Sequence, residues 1–150
     1  MPTDRLRKFI GLPASEQKQL LQAALWLPLM HVRLKRAGLQ SCLRWIAAQN
    51  QTATPPTAAW HLGQARGCGR SVALAARHGL VAGTCLSRSL TVMLLLARRQ
   101  VAGRLRVGVD LDNGALKAHA WVEVAGVPLE PGEDSYAPFP GFDAAKGGLP

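Results

Sequence analysis

The sequence has few cysteines, few aromatic residues and, over most of its length, few acidic residues. Its 3 cysteines include no CxxC pair, so neither a disulfide framework nor a structural zinc site is indicated. Aromatic residues make up only 5% of the 150 residues, so aliphatic side chains must fill the core. A hydrophobic content of 48% with 18% charged residues excludes intrinsic disorder and is typical of one globular domain.

No apolar run is long enough to cross a bilayer, which takes about 20 residues. The run at 20–32 leads directly into basic residues without a small-residue cleavage site, so it is not a secretion signal. Polar residues interrupt the second run, at 80–97. With an odd number of cysteines as well, we expect a cytoplasmic protein without an integral membrane segment.

The acidic residues that are present lie mostly near the end of the chain. Residues 1–100 carry 14 Lys and Arg but 2 Asp and Glu, whereas residues 101–150 carry 4 and 7. The basic part therefore favours an acidic partner. The arginines stand singly or in pairs within apolar segments, without zinc-finger spacing or an aromatic ladder, so we do not expect nucleic acid to be that partner.

Hydrophobic periodicity predicts helices first and strands afterwards. Helices are predicted at 15–37, 39–49, 58–78 and 85–100, with Gly38 between the first two and a kink or split at Pro28. Strands are predicted at 104–111, 117–124 and 127–130, joined by turns at 112–114 and 125–126, with irregular structure from Pro131 onward. The expected architecture is a single α+β domain over 1–150: a helical hairpin at 1–50, a core at 58–137 and a tail at 138–150.

Cys85 is the first candidate for chemistry. Thr84 is a natural N-cap, which places Cys85 at the first position of the most apolar predicted helix. Unpaired N–H groups and the helix dipole favour an anion there, and the thiolate is the nucleophilic form of cysteine. A lone cysteine before an apolar helix is also compatible with a structural role. The nucleophilic role requires a histidine within reach of the thiol.

His119 supplies such a histidine. Along its strand, small apolar side chains alternate with His119, Trp121 and Glu123. The apolar face belongs against helices, and it consists of Ala118, Ala120, Val122 and Val124. An imidazole and an indole on the other face are suited to a cleft wall, where Trp121 could line a substrate groove. A surface histidine with ordinary partners is the alternative.

A third group should accept the other imidazole N–H and orient the ring. If residues 125–126 are the two turn residues, strand parity places Glu130 on the same face as His119. A one-residue bulge would turn Glu130 to the opposite face. Asp134 and its neighbour Glu133 are then the alternatives.

Three segments together resemble a known family. They are Cys85-Leu-Ser-Arg-Ser-Leu90 at the start of an apolar helix, Val107-Gly-Val109, and His119-Ala-Trp-Val-Glu123. Residues 75–137 resemble the transglutaminase-like cysteine peptidases of lasso-peptide biosynthesis, and the helical N-terminal half is similar to their stand-alone form. The resemblance implies a papain-like core in which Cys85 is the nucleophile and His119 the general base. The position of the family's acid is occupied here by Pro131, next to Glu130, so the third member stays open.

The resemblance also implies a function and partners. The protein would cleave the leader from a ribosomally made lasso-peptide precursor through an acyl-enzyme, without a cofactor or metal. It would work with a separate leader-binding protein (a RiPP recognition element) and an ATP-dependent lasso cyclase. Arg88, one turn beyond Cys85, would stabilise the oxyanion, bind a substrate carboxylate or serve only in packing. A transglutaminase-like acyltransferase and a non-catalytic peptide-binding module are the alternative functions.

Overall fold

The computed structural model describes residues 2–49, 59–129 and 137–138 of the chain. Within these ranges the helices come first: α1 Pro2–Ile10, α2 Ala14–Gln49, α3 Ala59–His78 and α4 Cys85–Ala97. The strands follow: β1 Arg104–Asp112, β2 Ala115–Val124, β3 Val127–Pro128 and β4 Ala137–Pro138. This order confirms the predicted α+β fold class, with helices first and an antiparallel sheet afterwards.

The range of α2 includes both positions at which the sequence predicts a break, and the break at Gly38 is confirmed. Gly38 has φ 79° and ψ 171°, so helical geometry is interrupted at the predicted boundary between two helices. The helix does not split at Pro28, however. Leu27 and Met30 on either side of the proline are both buried in the core, and their burial offsets the hydrogen bond that proline cannot donate. Helix α1 is not among the predicted helices, and none of its residues is buried.

The sheet has the strand order β3-β2-β1-β4, and each neighbouring pair is antiparallel. Strands β1 and β2 pair from Arg104 opposite Glu123 to Asp112 opposite Ala115. Asn113 and Gly114 form the turn with φ 51° and 82°, the left-handed geometry of a two-residue hairpin loop. The hairpin is therefore tighter than the predicted three-residue turn, and β2 begins two residues earlier than expected.

The second hairpin has the predicted register. Ala125 and Gly126 form its turn with φ 52° and 79°, and Val124 pairs with Val127. Beyond β3, the Leu129 N–H donates to the Val122 carbonyl over 3.1 Å. The predicted strand extends to Glu130, which lies outside the described residues.

The tail, predicted to be irregular from Pro131 onward, contributes a short strand. Ala137 in β4 pairs with Val109 in β1, and Pro138 pairs with Gly108. This corrects the prediction at these two positions, and the rest of the tail lies outside the described residues. The correction matters for the site because Gly108 also pairs with His119 on its other side.

Helix α4 is the central element of the core and packs against α2, α3 and the sheet. Four of its leucines, Leu90, Leu94, Leu95 and Leu96, are buried in two aliphatic clusters, as the low aromatic content predicts. From β2, Ala120, Val122 and Val124 enter these clusters, which confirms the face predicted to meet the helices. Ala118, assigned to the same face, is exposed because the first half of β2 extends beyond the helices.

Candidate active site

The turn before α4 is built by side chains that cap the helix. Thr84 is the N-cap, as predicted, and its hydroxyl accepts from the Ser87 N–H over 3.2 Å. The Ser87 hydroxyl in turn accepts from the Thr84 N–H over 2.8 Å, completing a capping box. Gly83 precedes them with φ 68°, in the left-handed region that favours glycine. This geometry fixes where the helix begins, and therefore fixes Cys85 at its first position.

Cys85 differs from the other two cysteines in its surroundings. All three thiols are free, but Cys42 and Cys68 are fully buried whereas Cys85 is half-buried. Burial raises the pKa of the Cys42 and Cys68 thiols, and the nearby charges of Arg33 and Arg99 offset this only in part. The N–H groups of a first helical turn lack intrahelical partners and favour an anion at that end. Cys85 is thus the cysteine placed for nucleophilic chemistry.

His119 lies near the middle of β2 and is half-buried. Its ring is nearly parallel to that of Trp121, with 15° between the planes and 6.2 Å between the centroids. The two rings share a strand face, as the alternation of the sequence predicts. The indole therefore limits the positions open to the imidazole.

Trp121 is held by a carboxylate that the sequence places on the same face. Its Nε1–H donates to Oε1 of Glu123 over 3.1 Å. The other carboxylate oxygen of Glu123 lies 3.6 Å from Nε of Arg106, on the neighbouring strand. Trp121 is only 2% exposed. A chain of contacts thus runs from Arg106 through Glu123 and Trp121 to the His119 ring.

Cys85 and His119 line the same small cavity, of about 40 Å³, which we call the candidate cleft. Two of the other predicted site residues, Arg88 and Trp121, also line it. The remaining lining residues come from α3, α4 and the sheet: Gly69, Ser89, Val92, Ala120, Val122 and Leu129. The fold therefore brings together four of the five residues singled out from the sequence.

Arg88 is exposed, and its side chain contacts the turn before α4. Its Nε donates to the Ala82 carbonyl over 2.9 Å. This contact favours the packing role considered for Arg88, which also lines the candidate cleft.

The candidates for the third group lie outside the described residues. They are Glu130 and its alternatives Glu133 and Asp134. The described part of the second hairpin has the register from which Glu130 was predicted, up to Leu129. Glu130 accordingly stays a prediction.

None of the six remaining lining residues of the candidate cleft was predicted as a site residue, and three of the six come from helices. Ser89 and Val92 lie four and seven residues beyond Cys85, so helical periodicity places them on its face and could have identified them. The Ser89 hydroxyl donates to the Ala120 carbonyl over 3.0 Å and joins α4 to β2. Gly69 comes from a different helix, and no local signal marks it.

Neither a metal cluster nor a membrane-spanning helix is found in the described ranges. No three His, Cys, Asp or Glu side chains in 2–49 and 59–129 come together as a metal site would require. None of the helices described there is long and apolar enough to span a bilayer.

A thiol at a helix N-terminus and an imidazole that line one cavity are the groups that nucleophilic cysteine chemistry requires. Residues 26–140 match the family model of the transglutaminase-like superfamily, and the chain belongs to that superfamily. Membership suggests cysteine peptidase or acyltransferase activity. No curated protein and no solved structure matched the chain.

Proposed function

We propose that the protein is a cysteine peptidase that cleaves the leader from a lasso-peptide precursor. The observation that supports this best is the shared cavity of Cys85 and His119 in a chain of the transglutaminase-like superfamily. The narrower assignment to leader cleavage rests on the sequence segments around these two residues.

In the proposed reaction His119 takes the proton from Cys85, and the thiolate sulfur attacks the carbonyl carbon at the leader-core junction. The tetrahedral oxyanion collapses as His119 donates its proton to the leaving amine, and a thioester is left on Cys85. Water then hydrolyses the thioester with His119 again as base. The Cys85 N–H, at the start of α4, is the proposed oxyanion donor.

The proposed third member is Glu130, with Asp134 as the alternative. The second hairpin supports Glu130 because its turn and its Val124–Val127 pair are those on which the parity of the strand depends. A carboxylate on the His119 face would hold the imidazole in one tautomer and stabilise the imidazolium.

Two further residues are proposed to contact the substrate. Trp121 is buried and stacks beside His119, so it forms a wall of the candidate cleft. Arg88 would bind a substrate carboxylate with the part of its guanidinium that the Ala82 contact leaves open. We place the catalytic core at 58–137, after the helical hairpin at 1–50.

The proposed partners are a separate leader-binding protein and an ATP-dependent cyclase, in a reducing cytoplasm. Exposed aliphatic side chains on α2 support a docking role for the helical half: they recur at helical spacing and are 47–59% exposed. They are Leu21, Leu25, Leu29 and Val32. Lys18 and Arg36 lie on the same face at its two ends, which suits a partner that combines apolar and acidic residues.

Precursor cleavage tests the proposal directly. The protein is incubated with a precursor peptide, with and without a leader-binding partner, and the products are followed by mass spectrometry. We expect one cut at the leader-core junction. It should be lost in Cys85→Ala and retained in Cys68→Ala, which removes a buried thiol outside the candidate cleft.

The product masses also separate the alternatives. Hydrolysis adds water to the acyl fragment, whereas an acyltransferase adds the mass of an amine in place of water. Binding of the precursor without any covalent change, by a protein shown to be folded, would favour the non-catalytic module and contradict the peptidase proposal.

A further inference from the structure

A second cavity, of about 380 Å³, lies between the first turns of α2 and the middle of α3. We call it the α2–α3 groove. Gln19 lines it from α2, Gly67 and Arg70 line it from α3, and Arg99 lines it from the turn after α4. Neither Cys85 nor His119 belongs to its lining, so the groove is distinct from the candidate cleft.

The charged groups in the α2–α3 groove are mainly cationic. Arg99 is held in place by the Leu95 carbonyl at 3.1 Å and by Oε1 of Gln22 at 3.3 Å. Arg70 is exposed and is engaged in no ion pair or hydrogen bond with the described residues. Glu16 is the acidic residue among the lining side chains, so two arginines face one carboxylate.

Gln19 adds a second, independent feature. Its Nε2 is buried, and the partner it has among the described residues is the Cys68 thiol, a weak acceptor. A buried amide donor without a strong acceptor is commonly satisfied by a ligand or by water. An acceptor bound in the groove would satisfy this amide.

Gly67 keeps the α2–α3 groove open. A Cβ at this position would lie 3.6 Å from the Gln19 amide nitrogen and 3.8 Å from a terminal nitrogen of Arg70. A longer side chain would therefore extend among the very donors described above. Glycine inside a helix costs about 0.5–1 kcal/mol relative to alanine, and the space it leaves lies between Gln19 and Arg70.

We propose that the α2–α3 groove binds an acidic peptide segment, with a side-chain carboxylate held by Arg70, Arg99 and the Gln19 amide. Peptide rather than a free small acid is favoured because the groove has room for several residues and is also lined by Leu20 and Leu74. These leucines suit an aliphatic neighbour of the acidic residue. The proposal does not depend on the peptidase activity.

Calorimetric titration of the full chain tests this with two synthetic peptides, acetyl-Leu-Glu-Glu-Leu-amide and its Gln-Gln counterpart. We expect the glutamate peptide to bind at least about tenfold more tightly, since a charge-assisted hydrogen bond contributes about 1.5–3 kcal/mol. Arg70→Gln should weaken its binding about tenfold. Arg66→Gln should change it less than about twofold, because Arg66 is equally exposed on α3 but does not line the groove.

A second pair of variants changes volume without changing charge. Gly67→Leu should abolish binding, whereas Gly67→Ala, whose Cβ makes only ordinary contacts, should weaken it much less. Three results would overturn the proposal: equal binding of the two peptides, equal effects of Arg70→Gln and Arg66→Gln, or free glutarate binding as tightly as the glutamate peptide. The last result would indicate a site for a small acid instead.

Discussion

Glu123 offers the sharpest test of how the candidate cleft is held together. Its carboxylate accepts a hydrogen bond from Trp121 at 3.1 Å and forms an ion pair with Arg106 at 3.6 Å. Two substitutions remove different sets of these contacts. Glu123→Gln keeps an oxygen acceptor for the indole but removes the charge. Glu123→Ala removes both.

The expected losses follow from burial. The Arg106 and Glu123 side chains are 25% and 17% exposed, and a partly exposed ion pair contributes about 0.5–1 kcal/mol. Removing the acceptor of a buried indole N–H costs about 1–3 kcal/mol more. Glu123→Gln should therefore lower the unfolding free energy by about 0.5–1 kcal/mol, and Glu123→Ala by about 1.5–4 kcal/mol.

Thermal unfolding followed by circular dichroism measures these losses. In a chain of this size 1 kcal/mol corresponds to about 2–4 °C in Tm, so Glu123→Ala should melt about 3–16 °C lower. Lys35→Ala, which removes a charge at an exposed position of α2, is the control and should change Tm by no more than about 2 °C. Equal losses in the two Glu123 variants would refute the role of the indole hydrogen bond.

Four further predictions concern the helix cap and the cysteines. Thr84→Ala should lower the unfolding free energy by about 1 kcal/mol in urea titrations while Thr84→Ser does not, and equal losses would contradict the capping role. Gly83→Ala should cost more than Thr84→Ala in the same titration, because φ is 68° and its Cβ would lie 2.6 Å from a hydroxyl oxygen; a smaller loss would show that the turn relaxes freely. Iodoacetamide should label Cys85 about 100-fold faster than Cys42 and Cys68 by peptide mass, because buried thiols react only after local opening; equal rates would contradict this. Burial raises the pKa of the Cys42 and Cys68 thiols above 9.0, so these thiols ionise first in the unfolded chain. The unfolding free energy should therefore fall as pH rises above about 9. A variant with alanine at both positions that loses the same stability at alkaline pH would show that the two thiols are not the cause.

Local sequence patterns predicted the helix start and the strand faces on which the candidate catalytic residues lie. A threonine with an apolar run behind it is enough to begin a helix, so Thr84 and Cys85 were placed correctly. Strict alternation along β2 separated its core face from the face of His119 and Trp121. Residues 125–126 set the register of the second hairpin. Each of these depends on neighbours within a few residues.

Other features depend on contacts that no local pattern contains. Helix α2 passes through Pro28 because the side chains around it are buried against other elements. Helix α1 is an exception, since Leu6, Phe9 and Ile10 lie at helical spacing and could have marked it, although none of its residues is buried. Strand β4 is defined by its pairing with β1, far away in the sequence. Gly69 reaches the candidate cleft only because α3 packs beside α4.

Helix α3 shows how weak local preference and tertiary contacts combine. Gly67 and Gly69 are two residues apart, and each would weaken an isolated helix by about 0.5–1 kcal/mol. Ala65, Cys68 and Val72 on the same helix are at most 1% exposed, so packing offsets that loss. Gly67 lines the α2–α3 groove and Gly69 lines the candidate cleft. The glycines that reduce helix propensity therefore leave space for both cavities, and the buried residues between and beside them keep the helix in place.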